Sequence, residues 1–315
     1  LCSRVLRLAP VLATALVALI AVLGLGLVAP SEGEPPPRCW GPKSIDPDKP
    51  CSNPALKSVV VPSVRNAFLQ PASDCTPWRP RRPEICTFGF SRKQARTRVA
   101  LIGDSHAVHW RAALEVVARK HRWQGLSIYR STCAFNLSEV HRISGAKEAG
   151  CNNHNRDVVR WMKRGNGIKW VVVSQHDPMS ANPDLTRARI EGYKAAWATL
   201  PPNVQKIFVI RNPPQVEDWV GDCVERVQRR GGDPGWACKE PRSVADSGDT
   251  AILAAQEPDV DPRVQIVDLQ RFFCDERFCF PVVGGVLTHK DNGHITRTYS
   301  RLLGPYLNRE VFPSE

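Results

Sequence analysis

Two short segments, far apart in the chain, carry side chains that could act together on an ester. In the first, "VALIGDSHAVHW" (residues 99–110), an apolar run ends in Gly-Asp-Ser-His and a helical pattern follows at once. Ser105 therefore stands where a strand gives way to a helix, which lifts its hydroxyl above the sheet edge. Its backbone N–H lies near the helix N-terminus, where partial positive charge favours an anion. A serine that only caps the helix is the alternative.

The second segment, "THKDNGHITRTYSRLL" (residues 288–303), places Asp291 three residues before His294 and just ahead of the last helical pattern. This spacing lets the carboxylate reach the Nδ1–H of the imidazole and leaves the other ring nitrogen free to face a serine. An acid that orients a base within reach of a hydroxyl is the arrangement that activates a nucleophile for acyl transfer. An Asx turn at Asp291 and a surface histidine at His294 are the structural alternatives.

The elements that must position these residues begin at about residue 96, where short apolar runs alternate with helical patterns. This alternation predicts an α/β fold with a parallel sheet covered on both faces, and sites in such sheets form beyond the carboxyl ends of the strands. The predicted strands are residues 98–102, 126–129, 170–174, 206–210 and 264–269, and the predicted helices are 107–120, 156–164, 185–200, 216–230 and 296–307.

The N-terminal region is apolar. Residues 8–29 carry no charge, and this run is long enough to cross a hydrocarbon core of ~30 Å. Arg4 and Arg7 precede it, so the positive-inside rule puts the N-terminus in the cytoplasm and the rest of the chain outside. We therefore predict a single transmembrane helix over residues 1–30, with a cleaved signal peptide as the alternative. The first residue is Leu, which is compatible with an unusual start codon or with a fragment that a membrane domain precedes.

A proline-rich segment follows the predicted anchor. Residues 31–95 hold twelve of the 27 prolines and almost no periodic apolar pattern. This composition predicts an extended, cysteine-stapled linker outside the membrane, followed by a catalytic domain over residues 96–315.

The cysteines support an oxidising compartment. There are eleven, and apart from Cys2 they fall into neighbouring pairs, for which nearest-neighbour disulfides are the favoured connectivity although sequence alone does not fix it. Zinc is the rival explanation, but no second Cys or His pair sits at finger spacing, so we predict no metal. The pairs are Cys39/Cys51, Cys75/Cys86, Cys133/Cys151, Cys223/Cys238 and Cys274/Cys279.

The net charge of +12 is spread along the chain. A basic balance is compatible with nucleic acid, anionic lipid or an anionic polymer such as cell-wall polysaccharide. No long Lys/Arg block and no RNA-binding aromatic pattern is present, so we predict no nucleic-acid partner.

Taken together, Gly103-Asp104-Ser105-His106 after a strand and Asp291-x-x-His294 before the last helix resemble the first and last blocks of the SGNH (GDSL-like) hydrolase superfamily. The short form GDSH-x-x-x-W, Cys133 after the second strand and the C-x-x-x-x-C ahead of the Asp-His block most resemble the extracytoplasmic SGNH domain of bacterial acyltransferase-3 O-acyltransferases. The resemblance covers about residues 96–312. It implies a flavodoxin-like three-layer α/β/α sandwich.

The resemblance also implies roles for the three residues of the two blocks. Ser105 would be the nucleophile, His294 its base and Asp291 the residue that orients the base. The backbone N–H of Ser105 would be one donor to the oxyanion.

The remaining donors are where the sequence departs from the superfamily. Its second block supplies a Gly and its third an Asn, whereas the matching loops here are "RSTCAFN" and "SQHDP". Backbone N–H groups near Thr132 and the side chain of Gln175 are expected to stand in for them. Gly103 is expected to allow the tight turn, and His106 to line the site.

The function that the resemblance implies is a membrane-anchored, extracytoplasmic O-acyltransferase that needs no cofactor. The acyl group would be acetyl, carried on a serine ester and passed to a cell-envelope polysaccharide. The donor would come from a membrane acyltransferase-3 domain or partner. An esterase with the same three residues and a non-catalytic glycan-binding module are the alternatives.

Overall fold

The structure is a computed structural model that describes residues 35–71, 74–79, 83–141 and 145–312. Cys2 and the apolar run at residues 8–29 lie outside these ranges, and so does the transmembrane helix predicted there. Within the described ranges, no helix combines the length and the apolar character that a membrane span requires. The residues from Arg38 onward form one compact unit.

Alternating strands and helices make up that unit. The strands are β1 (Thr76–Arg79), β2 (Ile85–Gly89), β3 (Thr97–Gly103), β4 (Trp123–Tyr129), β5 (Ile168–Ser174), β6 (Lys206–Ile210), β7 (Glu240–Pro241), β8 (Val264–Val267), β9 (Phe278–Cys279), β10 (Val282–Val283) and β11 (Val286–Leu287). The helices are α1 (Val64–Leu69), α2 (Ser105–His121), α3 (Ala146–Met162), α4 (Pro183–Ala198), α5 (Val220–Arg229), α6 (Pro234–Ala237), α7 (Arg242–Ala245), α8 (Thr250–Ala255) and α9 (Arg297–Val311), with 3-10 turns at Gly41–Ser44, Pro54–Leu56 and Gln270–Phe272.

The central sheet has the strand order β1-β2-β4-β3-β5-β6-β8. The five strands β4, β3, β5, β6 and β8 run parallel, and their order is that of flavodoxin-like folds. Each predicted strand and helix from residue 96 onward corresponds to one of the observed elements, so the predicted α/β architecture with a mostly parallel sheet is confirmed.

Helices cover both faces of the sheet, which explains why its strands are apolar without alternation. On β3, Val99 and Leu101 join the core beneath α2 and α9, whereas Ala100 and Ile102 join the core beneath α3, α4 and α8. Every side chain of this strand segment is therefore buried on one face or the other.

Packing of α2 against α9 fixes the first of these cores. The Ala113 N–H of α2 donates to the Ser300 Oγ of α9 at 3.2 Å. One turn further along, a Cβ on Gly304 would lie 2.5 Å from Val116 Cβ, so glycine lets the two helix backbones come close. The N-termini of both helices are thereby held at the same edge of the sheet.

Residues 31–95 were predicted to be an extended linker, but their described part packs against the predicted catalytic domain. Strand β2 pairs antiparallel with β4, β1 pairs with β2, and the side chain of Trp40 is buried in the core beneath α9. The ring of Phe88 fills the space over Gly125, where a Cβ would lie 2.2 Å from it. The folded body therefore starts near Arg38 and not at residue 96. Sequence patterning missed this because the buried residues of this region, such as Trp40, Val59 and Val60, fall singly or in short groups without a helical or strand period.

The five predicted disulfides are all present, each between nearest neighbours. Cys75–Cys86 joins β1 to β2, and Cys133–Cys151 joins the loop after β4 to α3. The Cys274–Cys279 bond rules out the zinc alternative for that pair.

A pair of phenylalanine variants tests whether β2 belongs to the body. Phe88→Ala is expected to lower the free energy of unfolding by ~3–4 kcal/mol, because it removes a ring buried against β4. Phe68→Ala, at a ring that is 69% exposed, is the matched control and should change it by less than ~0.5 kcal/mol. Urea unfolding measures both, and equal effects would mean that β2 is a detachable arm.

Candidate active site

Gly103 ends β3 and allows the turn that follows. Its φ of +152° lies in the region that favours glycine, and a Cβ there would lie 1.9 Å from the carbonyl oxygen of Ser174 on β5. A side chain at this position would therefore collide with β5.

The buried side chain of Asp104 holds the next two elements together. Its Oδ1 accepts the His106 N–H at 2.8 Å, and its Oδ2 accepts the His176 N–H from the loop after β5 at 3.0 Å. Asp104 is thus the N-cap of α2, so the capping alternative for Ser105 does not apply. Ser105 is the first residue of α2, and its N–H is among those that an α-helix leaves without an internal acceptor.

The structure brings Ser105, His294 and Asp291 together. Ser105 Oγ lies 2.8 Å from His294 Nε2. On the other side of the ring, His294 Nδ1 lies 2.9 Å from Oδ1 and 3.0 Å from Oδ2 of Asp291. Because a carboxylate only accepts hydrogen bonds, Nδ1 carries the proton in this arrangement and Nε2 is the acceptor that faces the hydroxyl.

Asp291 also closes an Asx-type turn. The turn that was the structural alternative for Asp291 is therefore present together with its hydrogen bond to the His294 ring. Its Oδ1 accepts the N–H groups of Gly293 at 3.1 Å and His294 at 2.7 Å. Burial raises the pKa of Asp291, but the hydrogen bonds from the His294 ring and from these two amides outweigh it and hold the pKa well below its usual range. The carboxylate therefore stays ionised beside the ring.

The two residues expected to complete an oxyanion site differ in burial: Thr132 is exposed and Gln175 is buried. Thr132, in the loop after β4, is exposed and has a φ of +61°, and its hydroxyl donates to the Ser131 carbonyl. Gln175 is 2% exposed, and neither atom of its amide has a partner among the described residues. In the described part of the chain, no hydrogen bond joins either side chain to Ser105 or His294, and their predicted role remains a prediction.

Three further histidine rings surround the contact between Ser105 and His294. His106 stacks on His176 with centroids 4.8 Å apart, and its centroid lies 4.7 Å from that of His294. His109, one turn along α2, lies 4.7 Å from His106 and 5.9 Å from His294 by the same measure. The His106 ring therefore lies next to that of His294, and its role in a site remains a prediction.

Burial keeps the rings of His106 and His109 neutral. Desolvation lowers the pKa of His106 and of His109 well below the ordinary value, and the neighbouring histidines lower both further. Neither His106 nor His109 therefore accepts the proton that the serine releases at this site.

Sequence reasoning missed Asn212 and Gln215, which follow β6. Asn212 Oδ1 lies 2.6 Å from His106 Nδ1, and its Nδ2 lies 3.3 Å from His176 Nδ1. Gln215 Nε2 lies 3.3 Å from His176 Nε2. The available signal was their position at the carboxyl end of a predicted parallel strand, the edge at which such sites form.

No metal centre is evident in the ranges that the structure describes, since no three side chains of His, Cys, Asp or Glu are placed to hold an ion there. The site as described is built from hydrogen bonds among a serine, histidines, amides and carboxylates.

Comparison with known proteins gives two findings. The model of a family described as "SGNH domain (fused to AT3 domains)" matches residues 72–309. Among solved structures, the chain is similar to the periplasmic domain of a lipopolysaccharide acetyltransferase from Salmonella ser. Paratyphi A, with a TM-score of 0.54 and 12% identity over 70% of this chain and 85% of that one. At this identity the likeness shows the fold alone. A search of curated proteins finds no match.

The lowered pKa of Asp291 predicts a pH-dependent contribution to stability. A carboxylate whose pKa is lower in the folded chain stabilises the fold above its unfolded pKa of ~4 and loses that effect as the pH falls. Asp291→Asn should therefore lower the free energy of unfolding by ~1 kcal/mol at pH 7, a modest figure because the pair is partly exposed, and the difference should shrink below pH ~4.

Urea unfolding at pH 7 and pH 3 measures this difference. Glu276→Gln, which removes an exposed carboxyl in a loop, is the control and should stay within ~0.5 kcal/mol of the wild type. A difference between Asp291→Asn and the wild type that is the same at both pH values would contradict the assignment of a lowered pKa.

Proposed function

The chain belongs to the family of SGNH domains that are fused to AT3 domains, and from that premise we propose that it is an O-acyltransferase whose Ser105 carries the acyl group. The observation that carries this proposal is the 2.8 Å contact between Ser105 Oγ and His294 Nε2, with Asp291 bonded to the far side of the ring. A serine hydroxyl is a weak nucleophile until a positioned base takes its proton.

The first half-reaction transfers the acyl group from donor to serine. Ser105 Oγ attacks the acyl carbon while its proton passes to His294 Nε2, and the ionised Asp291 stabilises the imidazolium. The bond between the acyl carbon and the donor oxygen then breaks. The departing oxygen takes the proton from Nε2, which leaves acyl-Ser105 and neutral His294.

The second half-reaction reverses these roles. An acceptor hydroxyl gives its proton to His294 Nε2 as its oxygen attacks the acyl carbon. The ester bond to Ser105 breaks, and Oγ leaves with that proton. One acyl group has moved from one oxygen to another, and the enzyme is unchanged.

The negative charge that develops on the carbonyl oxygen in both steps needs donors. The Ser105 N–H at the start of α2 is the nearest available one, and the helix dipole adds to its effect. Gly103, Thr132 and Gln175 remain our candidates for shaping the rest of that site, with backbone N–H groups of the Thr132 loop and the unpartnered Gln175 amide as further donors.

The family and the fold support a location and a substrate class. Five disulfides favour an oxidising compartment, so we propose an extracytoplasmic catalytic body, anchored by the apolar run at residues 8–29. Fusion to AT3 domains in the family supports a membrane acyltransferase domain or partner as donor. The likeness to a lipopolysaccharide acetyltransferase domain supports acetyl as the group and a cell-envelope glycan as the acceptor.

Variants of the three residues test the mechanism with an activated acetyl ester as donor. Ser105→Ala and His294→Ala should each lower kcat/KM by at least ~10⁴-fold, and the double variant should be scarcely worse, because the two residues act as one unit. Asp291→Asn should lose up to ~10⁴-fold, since it disturbs the tautomer of the base.

The control is Ser91→Ala, which removes an exposed hydroxyl bonded to Gln94 and should leave kcat/KM unchanged. Product analysis with and without a glycan acceptor separates transfer from hydrolysis. Retained activity in Ser105→Ala would overturn the proposal, and acetate as the sole product in the presence of every glycan tried would favour the esterase alternative.

A further inference from the structure

A small cavity opens beside the loop that carries Asp291 and His294. It has a volume of about 140 Å³, and Asn292, the residue between the two, forms part of its rim. The Asn292 carbonyl accepts the Val216 N–H at 3.0 Å, so one wall is tied to the catalytic loop. By this measure one water needs ~10–15 Å³, so the space can admit the polar groups of a sugar unit.

The cavity also touches the histidine cluster. Gln215 lines it, and the same amide lies 3.3 Å from His176 Nε2. On the other side, a Cβ on Gly293 would lie 3.8 Å from Gln215 Nε2 and 3.3 Å from His106 Nε2. A group bound in the cavity thus lies beside the loop that carries His294 and beside the amide that reaches His176.

Glu240 forms the buried part of the cavity wall. It is 2% exposed, and its Oε1 accepts the Glu217 N–H at 3.0 Å. Its Oε2 has no hydrogen-bond partner among the described residues and is not fully enclosed by protein, so it is an acceptor open to the cavity. An accessible acceptor in a cavity wall suits a ligand that donates a hydrogen bond.

The wall that holds Glu240 is rigid. Glu240 lies on β7, which pairs with β9, and it follows Cys238, which is bonded to Cys223 of α5. The opposite wall is tied down as well, because the Gln215 N–H donates to the Ala245 carbonyl at 2.8 Å. A carboxylate held on braced elements is a pre-organised acceptor.

The charge of the cavity is one-sided. Glu217 and Asp218 are exposed on its rim above Glu240, and the remaining lining is neutral, with Val244 as an apolar wall. No Lys or Arg lines it among the described residues, although the chain as a whole is strongly basic. A ligand with a negative charge would meet three carboxylates at short range.

We propose that this cavity, the Glu240 pocket, is the acceptor subsite, and that it takes a sugar unit which offers hydroxyl or amino hydrogen-bond donors and carries no negative charge. The inference rests on the proposed function, because it assumes that acyl-Ser105 is passed to a sugar. Glu240 Oε2 accepts from the sugar, Val244 covers an apolar face of the ring, and the target hydroxyl points past Asn292 toward His294.

Three matched acceptors test the pocket: the methyl glycosides of glucose, glucosamine and glucuronic acid. With an activated acetyl ester as donor at pH 8, where carboxyl groups are ionised, transfer to the first two should exceed transfer to the glucuronide by at least ~10-fold. Only enzyme-dependent O-acetyl product is counted, because the free amine of the glucosaminide reacts with the activated ester directly. Faster O-acetylation of the glucosaminide than of the glucoside then means an amino contact, and equal rates mean a hydroxyl contact. A glucuronide that accepts as well as the glucoside overturns the proposal.

Two variants locate the effect. Glu240→Gln keeps the acceptor for the Glu217 N–H, and it should raise the KM for the glucoside ~10-fold while acylation of Ser105 stays unchanged. Val244→Trp, at a side chain that is 54% exposed, should block the pocket and lower transfer to all three glycosides. Glu225→Gln, on the exposed face of α5, is the matched control. Wild-type transfer in both pocket variants overturns the proposal.

A binding measurement separates failure of the pocket from failure of the proposed function. Ser105→Ala protein cannot form the acyl ester, but it should still bind the glucoside in a ligand-observed NMR titration, and Ser105→Ala/Glu240→Gln should bind it ~10-fold more weakly. Equal binding by the two proteins, or none by either, contradicts the pocket. Absence of acylation in the wild type contradicts the proposed function alone.

Discussion

The contact between Ser105 and His294 depends on how closely α2 packs against α9. Ser105 is the first residue of α2, and His294 lies three residues before α9 begins. The two residues are 189 positions apart in sequence, so the helix pair sets the distance between them. The Ser300 hydroxyl bonded to α2 and the glycine at residue 304 hold the two helices together at short range.

Asp104 holds the start of α2 against the loop after β5 at the edge of the sheet. One buried carboxylate accepts an N–H from the start of α2 and another from the loop after β5, so the serine and the histidine cluster cannot move independently. The neutral rings of His106 and His109 add to this arrangement. Burial lowers the pKa of both, and it lowers the pKa of the nearby His289 to about 4. With these rings uncharged, none of the three competes as a cation with His294 for the Asp291 carboxylate.

The sequence was sufficient to predict the parallel sheet, because buried strands such as "WVVVS" leave a short apolar run that few other structures produce. The serine, histidine and aspartate singled out in the sequence lie together in the structure, since strand ends and helix starts localise side chains to one edge of a sheet, and their catalytic role stays a prediction. Hairpin β1–β2 could not be predicted, because antiparallel pairing with β4 is decided by the fit of Phe88 over Gly125. That fit is a long-range contact without a local pattern.

The same reason explains what was missed at the site. Asn212 and Gln215 are ordinary loop residues in sequence, and only the register of β6 beside β5 brings them to His106 and His176. Gln175 was predicted to stand in for the missing Asn; its side chain is buried without a partner among the described residues, and its role remains a prediction. A sequence predicts which residues lie at the edge of the sheet, but it does not predict the direction in which their side chains point.

The central claim is that Ser105 carries the acyl group, and mass spectrometry of the trapped intermediate tests it most directly. The protein is mixed with an activated acetyl ester, quenched in acid within the first turnover and digested. The account predicts one acetyl group on the peptide that contains Ser105, and none on that peptide in Ser105→Ala. An acetyl adduct that forms equally well in Ser105→Ala, on any other residue, would contradict it.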